Sequence, residues 1–251
     1  MSGHSKWSSI KHKKGAADVK RGKLFSKLAR AIIVAAKEGG PDPANNLALQ
    51  NAVDKARSYS MPKDNIERAI ARGAGEGPDS ANFETVVYEG YGPEGVAVLV
   101  EALTDNRNRT ASEVRHAFAR HGGALGATGA VAWQFERRGV VLVAAAGVDE
   151  EDLFLAAADA GAEDVARDGD VFEVTSAPET LAAVREAIEA VGFTVDSAEL
   201  SMIPKTTVSV DDEVKAKSVM RLIDSLEDND DVQDVYANFD IPEQVLEAVT
   251  A

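Results

Sequence analysis

Residues 140–203 read VVLVAAAGVDEEDLFLAAADAGAEDVARDGDVFEVTSAPETLAAVREAIEAVGFTVDSAELSMI. The opening run Val140–Ala144 is apolar and of strand length. A helical pattern covers Glu151–Ala160, and a strand covers Ala162–Ala166. Asp168-Gly169-Asp170 is a turn signal, and Val171–Thr175 is again extended. Pro178–Val191 is helical and Val195–Ile203 is a last strand. The order βαββαβ is that of a ferredoxin-like unit.

The flanks of this block fit each other. Before it, Phe83–Tyr91 and Val96–Thr104 form a hairpin pattern around the glycines of 90–95. After the loop Asp105 to Arg109, a helix is expected from about Thr110 to Arg120, with Val114 and Phe118 inward. A flexible loop carrying Gly122, Gly123, Gly126 and Gly129 leads to a strand, Val131–Phe135. Beyond the block come strand Thr206–Val210, helix Asp212–Leu226 and strand Val232–Phe239. Joined across the gap, 96–104, 110–120, 131–135, 206–210, 212–226 and 232–239 repeat βαββαβ. The block at 138–203 therefore reads as an insertion in the middle turn of an outer ferredoxin-like unit.

The N-terminal region differs in character. Residues 3–14, GHSKWSSIKHKK, are polar and cationic with one large aromatic, Trp7. Such a segment buries too little apolar surface to fold alone and is expected to be a mobile arm. From Ala16 the pattern is helical. Leu24, Leu28, Ile32 and Ala35 make one apolar face, while Lys20, Lys23, Lys27 and Arg30 make a stripe nearly opposite it. One face should pack on a core, and the cations should line the solvent side. Gly39-Gly40-Pro41 ends this helix. A second helix is expected from about Pro43 to Ser58 and a third from Pro62 to about Arg72. The Gly-rich stretch Gly73 to Pro78 marks a boundary near residue 80. The expected fold is α+β. A basic arm with a three-helix domain (1–80) precedes a discontinuous α+β domain (81–137 and 204–251), into which a ferredoxin-like domain (138–203) is inserted.

Charge separates the regions further. Residues 1–37 hold ten Lys or Arg against one acid, a net of +9, while residues 38–251 hold 17 basic and 41 acidic residues, a net of −24. A local field of one sign guides a partner even when the total charge opposes it. Lys and Arg on an arm and a helix face suit phosphate neutralisation, and Trp7 suits base stacking. A solvated charge run does not account for the segregated stripe. A membrane-surface helix would need the apolar face that a three-helix core uses up. The acidic surplus gathers at Asp149–Asp152, Asp211–Glu213 and Glu227–Asp231. Solubility, a docking surface for a basic protein, and a shield against nonspecific binding are the readings open for it.

Other chemistry finds little support. There is no cysteine, which excludes disulfides and thiolate sites. No apolar run approaches a membrane span or a signal peptide, so a cytoplasmic location is expected. Gly90-Tyr91-Gly92-Pro93-Glu94-Gly95 matches GxGxxG literally, but a strand pattern follows where a dinucleotide site needs a helix. The four histidines, His4, His12, His116 and His121, make no metal spacing. No nucleophile or carboxylate pair argues for an enzyme, and no cofactor, metal or small-molecule substrate is expected. Arg107 and Arg109, with the helix start after them, form a second candidate phosphate site. The competing reading is a loop of capping residues.

Several motifs resemble the YebC/PmpR family. They are the arm at 3–14, KRGKLFSKLAR at 20–30, MPKDNIERAI at 61–70, YEGYGP at 88–93 and NRNRT at 106–110, with VAWQF at 131–135 and DVYANF at 234–239. The resemblance implies three domains, a cytoplasmic location and no catalytic activity. Bacterial members are usually called DNA-binding transcriptional regulators, whereas mitochondrial relatives activate translation of a cytochrome oxidase subunit. The expectation is a non-enzymatic, nucleic-acid-binding regulator of gene expression. Its contacts would be Lys6, Trp7, Lys11, His12, Lys13, Lys14, Lys20, Arg21, Lys23, Lys27 and Arg30, with Arg107 and Arg109 second. DNA and ribosomal RNA, with the ribosome, are both open as targets. The remaining alternative is an adaptor whose acidic surface docks a basic protein.

Overall fold

The fold is described from a computed structural model, in which residues 18–75 and 83–250 are placed. Helices α1 (Asp18–Gly39), α2 (Leu47–Ser58) and α3 (Lys63–Gly73) come first. Leu28, Ile32 and Ala35 of α1 share a core with Leu49, Val53 and Ala56 of α2 and Ile66 and Ala69 of α3, with Leu24 packed at its edge. The apolar face seen in the sequence is thus the face that meets the other helices. The expected second helix is split, because Pro43–Asn45 forms a separate 3-10 turn. Asn46, 6% exposed, accepts a hydrogen bond from Leu49 N at 3.0 Å and donates to Ala35 O and Gly40 O at 2.8 Å each. One amide side chain thereby satisfies the end of α1 and the start of α2. Where α3 crosses α1, a Cβ on Gly73 would sit 2.5 Å from Ile33 O, so only glycine permits that approach.

The chain continues through β1 (Glu84–Tyr91), β2 (Ala97–Thr104), α4 (Arg107–Arg120) and β3 (Ala124–Leu125). Next come β4 (Phe135–Ala144), α5 (Glu150–Asp159), β5 (Ala162–Asp168), β6 (Val171–Ser176), α6 (Leu181–Ala190) and β7 (Val195–Pro204). It ends with β8 (Val208–Ser209), α7 (Glu213–Glu227), β9 (Val232–Ala237), β10 (Phe239–Asp240) and α8 (Glu243–Thr250).

The β4–β7 segment forms an antiparallel sheet of order β5-β6-β4-β7, which is the ferredoxin-like order. Val141 and Val143, alternate residues of β4, pack with Leu153, Phe172, Val174, Val184 and Ile188. β4 begins five residues earlier than its apolar run. Its polar first half pairs with the end of β7, from Phe135↔Pro204 onward. The strands entering and leaving this unit are therefore one ladder, which is the geometry an insertion needs.

The flanking segments form a second antiparallel sheet of order β3-β1-β2-β9, with α4 and α7 sharing its core of Val98, Val100, Phe118, Leu222, Ile223 and Val235. The mixed α+β class holds, but this sheet uses different strands from those expected. Val131–Phe135 does not join it: Ala132–Gln134 is a 3-10 turn and Phe135 opens β4. Thr206–Val210 shrinks to β8, which pairs in parallel with β10 apart from the main sheet. The place beside β2 goes to β1, and the two-residue β3 pairs with the far edge of β1. The reason is local. The buried Glu89 carboxylate accepts from Val131 N at 2.8 Å and Ala132 N at 2.7 Å, so those amides are unavailable to a ladder. Glu89 also takes Gly129 N, at 2.6 Å, so the glycine loop is clamped where flexibility was expected. Helix α8, absent from the sequence reading, lays Val245 and Val249 on the same core.

Candidate nucleic-acid interface

The candidate contacts divide into three groups. Lys6, Trp7, Lys11, His12, Lys13 and Lys14 lie outside the described residues. Lys20 and Arg21 are in the first turn of α1, where only the backbone is described. Lys23, Lys27 and Arg30 follow on α1, and Arg107 and Arg109 fall in the first turn of α4.

The stripe of α1 is only partly open to solvent. It lies against the C-terminal end of α7 and the acidic loop after it. Lys27 Nζ donates to Glu227 O at 2.5 Å, and Lys23 Nζ reaches Asp228 O at 3.4 Å and the Asp230 carboxylate at 3.7 Å. Arg30 donates to Leu103 O at 3.2 Å, Asp230 O at 2.7 Å and Asp231 Oδ1 at 3.1 Å, and its guanidinium sits 4.8 Å from the Phe83 ring centroid. The last carbonyls of a helix carry partial negative charge and lack partners within the helix, so cations are favoured there. Two of the three cations are thus capping a helix of the chain's own body, and the third is mostly buried.

Asp231 is the centre of this contact. Its side chain is 6% exposed and binds Arg30 through Oδ1. Its Oδ2 lies 2.6 Å from Arg109 Nη2, 2.7 Å from Thr110 Oγ1 and 3.2 Å from Thr104 Oγ1. Burial pushes its pKa upward, but hydrogen bonds from Arg109 and Thr110 outweigh this and hold the group below the ordinary aspartate value. Arg109, half-exposed, is therefore ion-paired with a buried carboxylate, and it also bonds Asp105 at 3.0 Å. The helix start is closed as well, because Asn106 Oδ1 accepts from Arg109 N at 3.1 Å. The helix start is thus capped, and Arg109 is already engaged by two carboxylates. Of the two arginines, Arg107 is the more exposed, 64% against 44% for Arg109, and its guanidinium lies 3.6 Å from Glu84.

A second junction escaped the sequence reading. Lys55 of α2 binds Asp234 of β9 at 2.8 Å and Glu199 of β7 at 3.1 Å, joining the helical unit to both sheets. Burial opposes its charge, yet these two carboxylates raise its pKa well above the usual lysine value. Neither Lys55 nor Asp231 belongs to a motif. The only signal was an acid-rich segment, Glu227–Asp231, opposite in sign to the stripe. Among the described residues no cluster of His, Asp and Glu is placed to hold a metal ion, and no helix is long and apolar enough to cross a membrane.

Comparison with known proteins places the chain. Residues 5–76 match the model for the TACO1/YebC protein N-terminal domain, and residues 83–239 match that for the TACO1/YebC second and third domain. The chain belongs to the TACO1/YebC family. Family relatives include a probable transcriptional regulatory protein of Rubrobacter xylanophilus, 59% identical over 99% of each chain. One of the same description from Persephonella marina is 53% identical over the full length of both. The crystal structure of a conserved hypothetical protein from Aquifex aeolicus is similar with a TM-score of 0.81 at 50% identity, covering 91% of this chain and 94% of that one. The family-level role carried by these names is regulation of transcription.

Proposed function

We propose that this chain is a non-enzymatic regulator of gene expression that grips nucleic acid through its cationic N-terminal segment, from a body that would otherwise repel it. The units 1–80, 81–137 with 204–251, and 138–203 act as its three domains. The observation that carries this reading is the charge division, +9 on residues 1–37 against −24 on the rest. The internal pairing of Lys23, Lys27 and Arg30 sharpens it. These three hold the basic helix against the body, and the six cations ahead of them (Lys6, Lys11, Lys13, Lys14, Lys20 and Arg21) are the proposed phosphate contacts. Arg107 is a secondary contact, and Trp7 stacks or wedges.

The relatives' names speak of transcriptional regulation, for which DNA would be the target. A second reading, binding to folded RNA such as ribosomal RNA, has a specific observation behind it. The basic face of α1, the helix best charged to enter a major groove, is turned toward Asp228–Asp231. A cationic segment without a free recognition helix suits irregular RNA as well as duplex DNA.

Salt titration tests both. With about six phosphates neutralised, log K should fall against log salt with a slope near −5 on duplex DNA and near −4 on single strands. Removing residues 1–14 should weaken binding to every sequence and flatten the slope by about three to four. An unchanged slope after that deletion takes the arm out of the mechanism. Crosslinking in cells then separates the two readings, since the arm will be joined either to promoter DNA or to ribosomal RNA.

A further inference from the structure

The second tryptophan is not part of the N-terminal segment. Trp133 is 67% exposed, at the 3-10 turn between the two sheets, and Tyr91 at the end of β1 is 40% exposed. Both are held by the same atom. Trp133 Nε1 donates to Ala130 O at 3.2 Å, and Tyr91 Oη donates to it at 3.1 Å. Ala130 itself lies in the loop that Glu89 clamps through Gly129 N, Val131 N and Ala132 N. The polar edges of both rings are therefore satisfied within the protein, while much of their surface is left in water. A tryptophan that is 67% exposed with its N–H already satisfied offers a large apolar face, the kind of surface enriched at interfaces.

A cation is near these rings on a body of net negative charge. Gln134 Nε2 donates to Tyr91 Oη at 3.3 Å, and Lys205 N donates to Gln134 O at 2.8 Å, which anchors the backbone of an exposed lysine to the same turn. The carboxylates nearest in the chain are both occupied. Glu89 is buried under three amides, and Glu136 pairs with Arg138 at 3.1 Å. Every nucleobase offers a π face, whereas a duplex keeps its faces stacked inside.

We propose that Trp133 and Tyr91 form a stacking platform for unpaired bases of single-stranded nucleic acid, with Lys205 contacting the adjoining phosphate. This rests on the nucleic-acid reading above and adds a second site on the body. The chain has two tryptophans, so a full-length Trp7→Phe protein reports on Trp133 alone. That protein is titrated with a short oligoadenylate RNA and with an RNA duplex of equal length, reading emission and affinity. The single strand should quench Trp133. Trp133→Ala should weaken its binding about tenfold, and Trp133→Phe should restore most of that, with the salt slope unmoved. Equal quenching by the duplex overturns the platform. So does unaltered emission or an unaltered Kd in Trp133→Ala while salt-dependent binding persists, and in that case the N-terminal grip stands by itself. If the intact chain binds no nucleic acid at low ionic strength, both proposals fall. If Trp133→Ala loses a protein ligand while binding RNA normally, the surface belongs to that protein and the platform is wrong.

Discussion

Two acidic segments look alike in the sequence and behave differently in the fold. Asp149–Asp152 sits at the N-terminus of α5, where Asp149 accepts from Glu151 N at 2.9 Å and Asp152 N at 3.2 Å. Carboxylates are favoured at that end by the helix dipole, so the segment needs no cation. Glu227–Asp231 sits at the opposite kind of end, the C-terminus of α7, where the same dipole disfavours acids. There the chain brings cations: Lys23, Lys27 and Arg30 from α1, and Arg109 from α4. The lesson is that acidic surplus is not one thing. One segment starts a helix, and the other docks the basic head on the body.

This contrast can be broken by substitution. Asp231→Ala leaves two arginines without their buried acceptor and should cost about 3–5 kcal/mol of unfolding free energy, read by chemical denaturation. Equal losses from Asp231→Ala and Asp149→Ala would erase the distinction between the segments. Acid should undo the docking next. Because Asp231 is held below the ordinary aspartate value, its contribution is fully present above about pH 3.9 and is lost as pH falls through the lower folded value. The stability gap between the intact chain and Asp231→Ala should therefore close in acid, which a pH series of melts measures. Asp149→Ala removes a helix cap alone and should cost about 1 kcal/mol. The smallest effect is expected at Asp230, whose carboxylate is 71% exposed and 3.7 Å from Lys23. Asp230→Asn should change stability by less than about 1 kcal/mol. It should also lower the Kd for nucleic acid at low salt, since Lys23 loses a competing anion.

Legibility followed locality. The inserted unit was readable because all six of its elements are contiguous and each buries one face at its own period, as Val141 and Val143 do on β4 and Val184 and Ile188 on α6. The three helices were readable for the same reason, except where Asn46 breaks the second. The outer sheet was misread at two strands because Glu89, a single residue with no motif, captures amides 40 to 43 positions away and turns Val131–Gln134 out of extended form. The cationic stripe was seen as a pattern, but its destination was not, since the carbonyl that Lys27 finds is 200 residues further on.

Periodicity and charge run along the chain, and from them alone came the α+β class, the amphipathic α1, the block at 138–203 and the cationic head. Pairing between distant residues does not run along the chain. That Arg109 meets a buried carboxylate while Arg107 meets an exposed one, that Asp231 holds Arg30, and that Trp133 stands in water on a clamped loop were settled by packing. A side chain's partner depends on which surfaces the cores bring together, and short-range spacing carries no record of that.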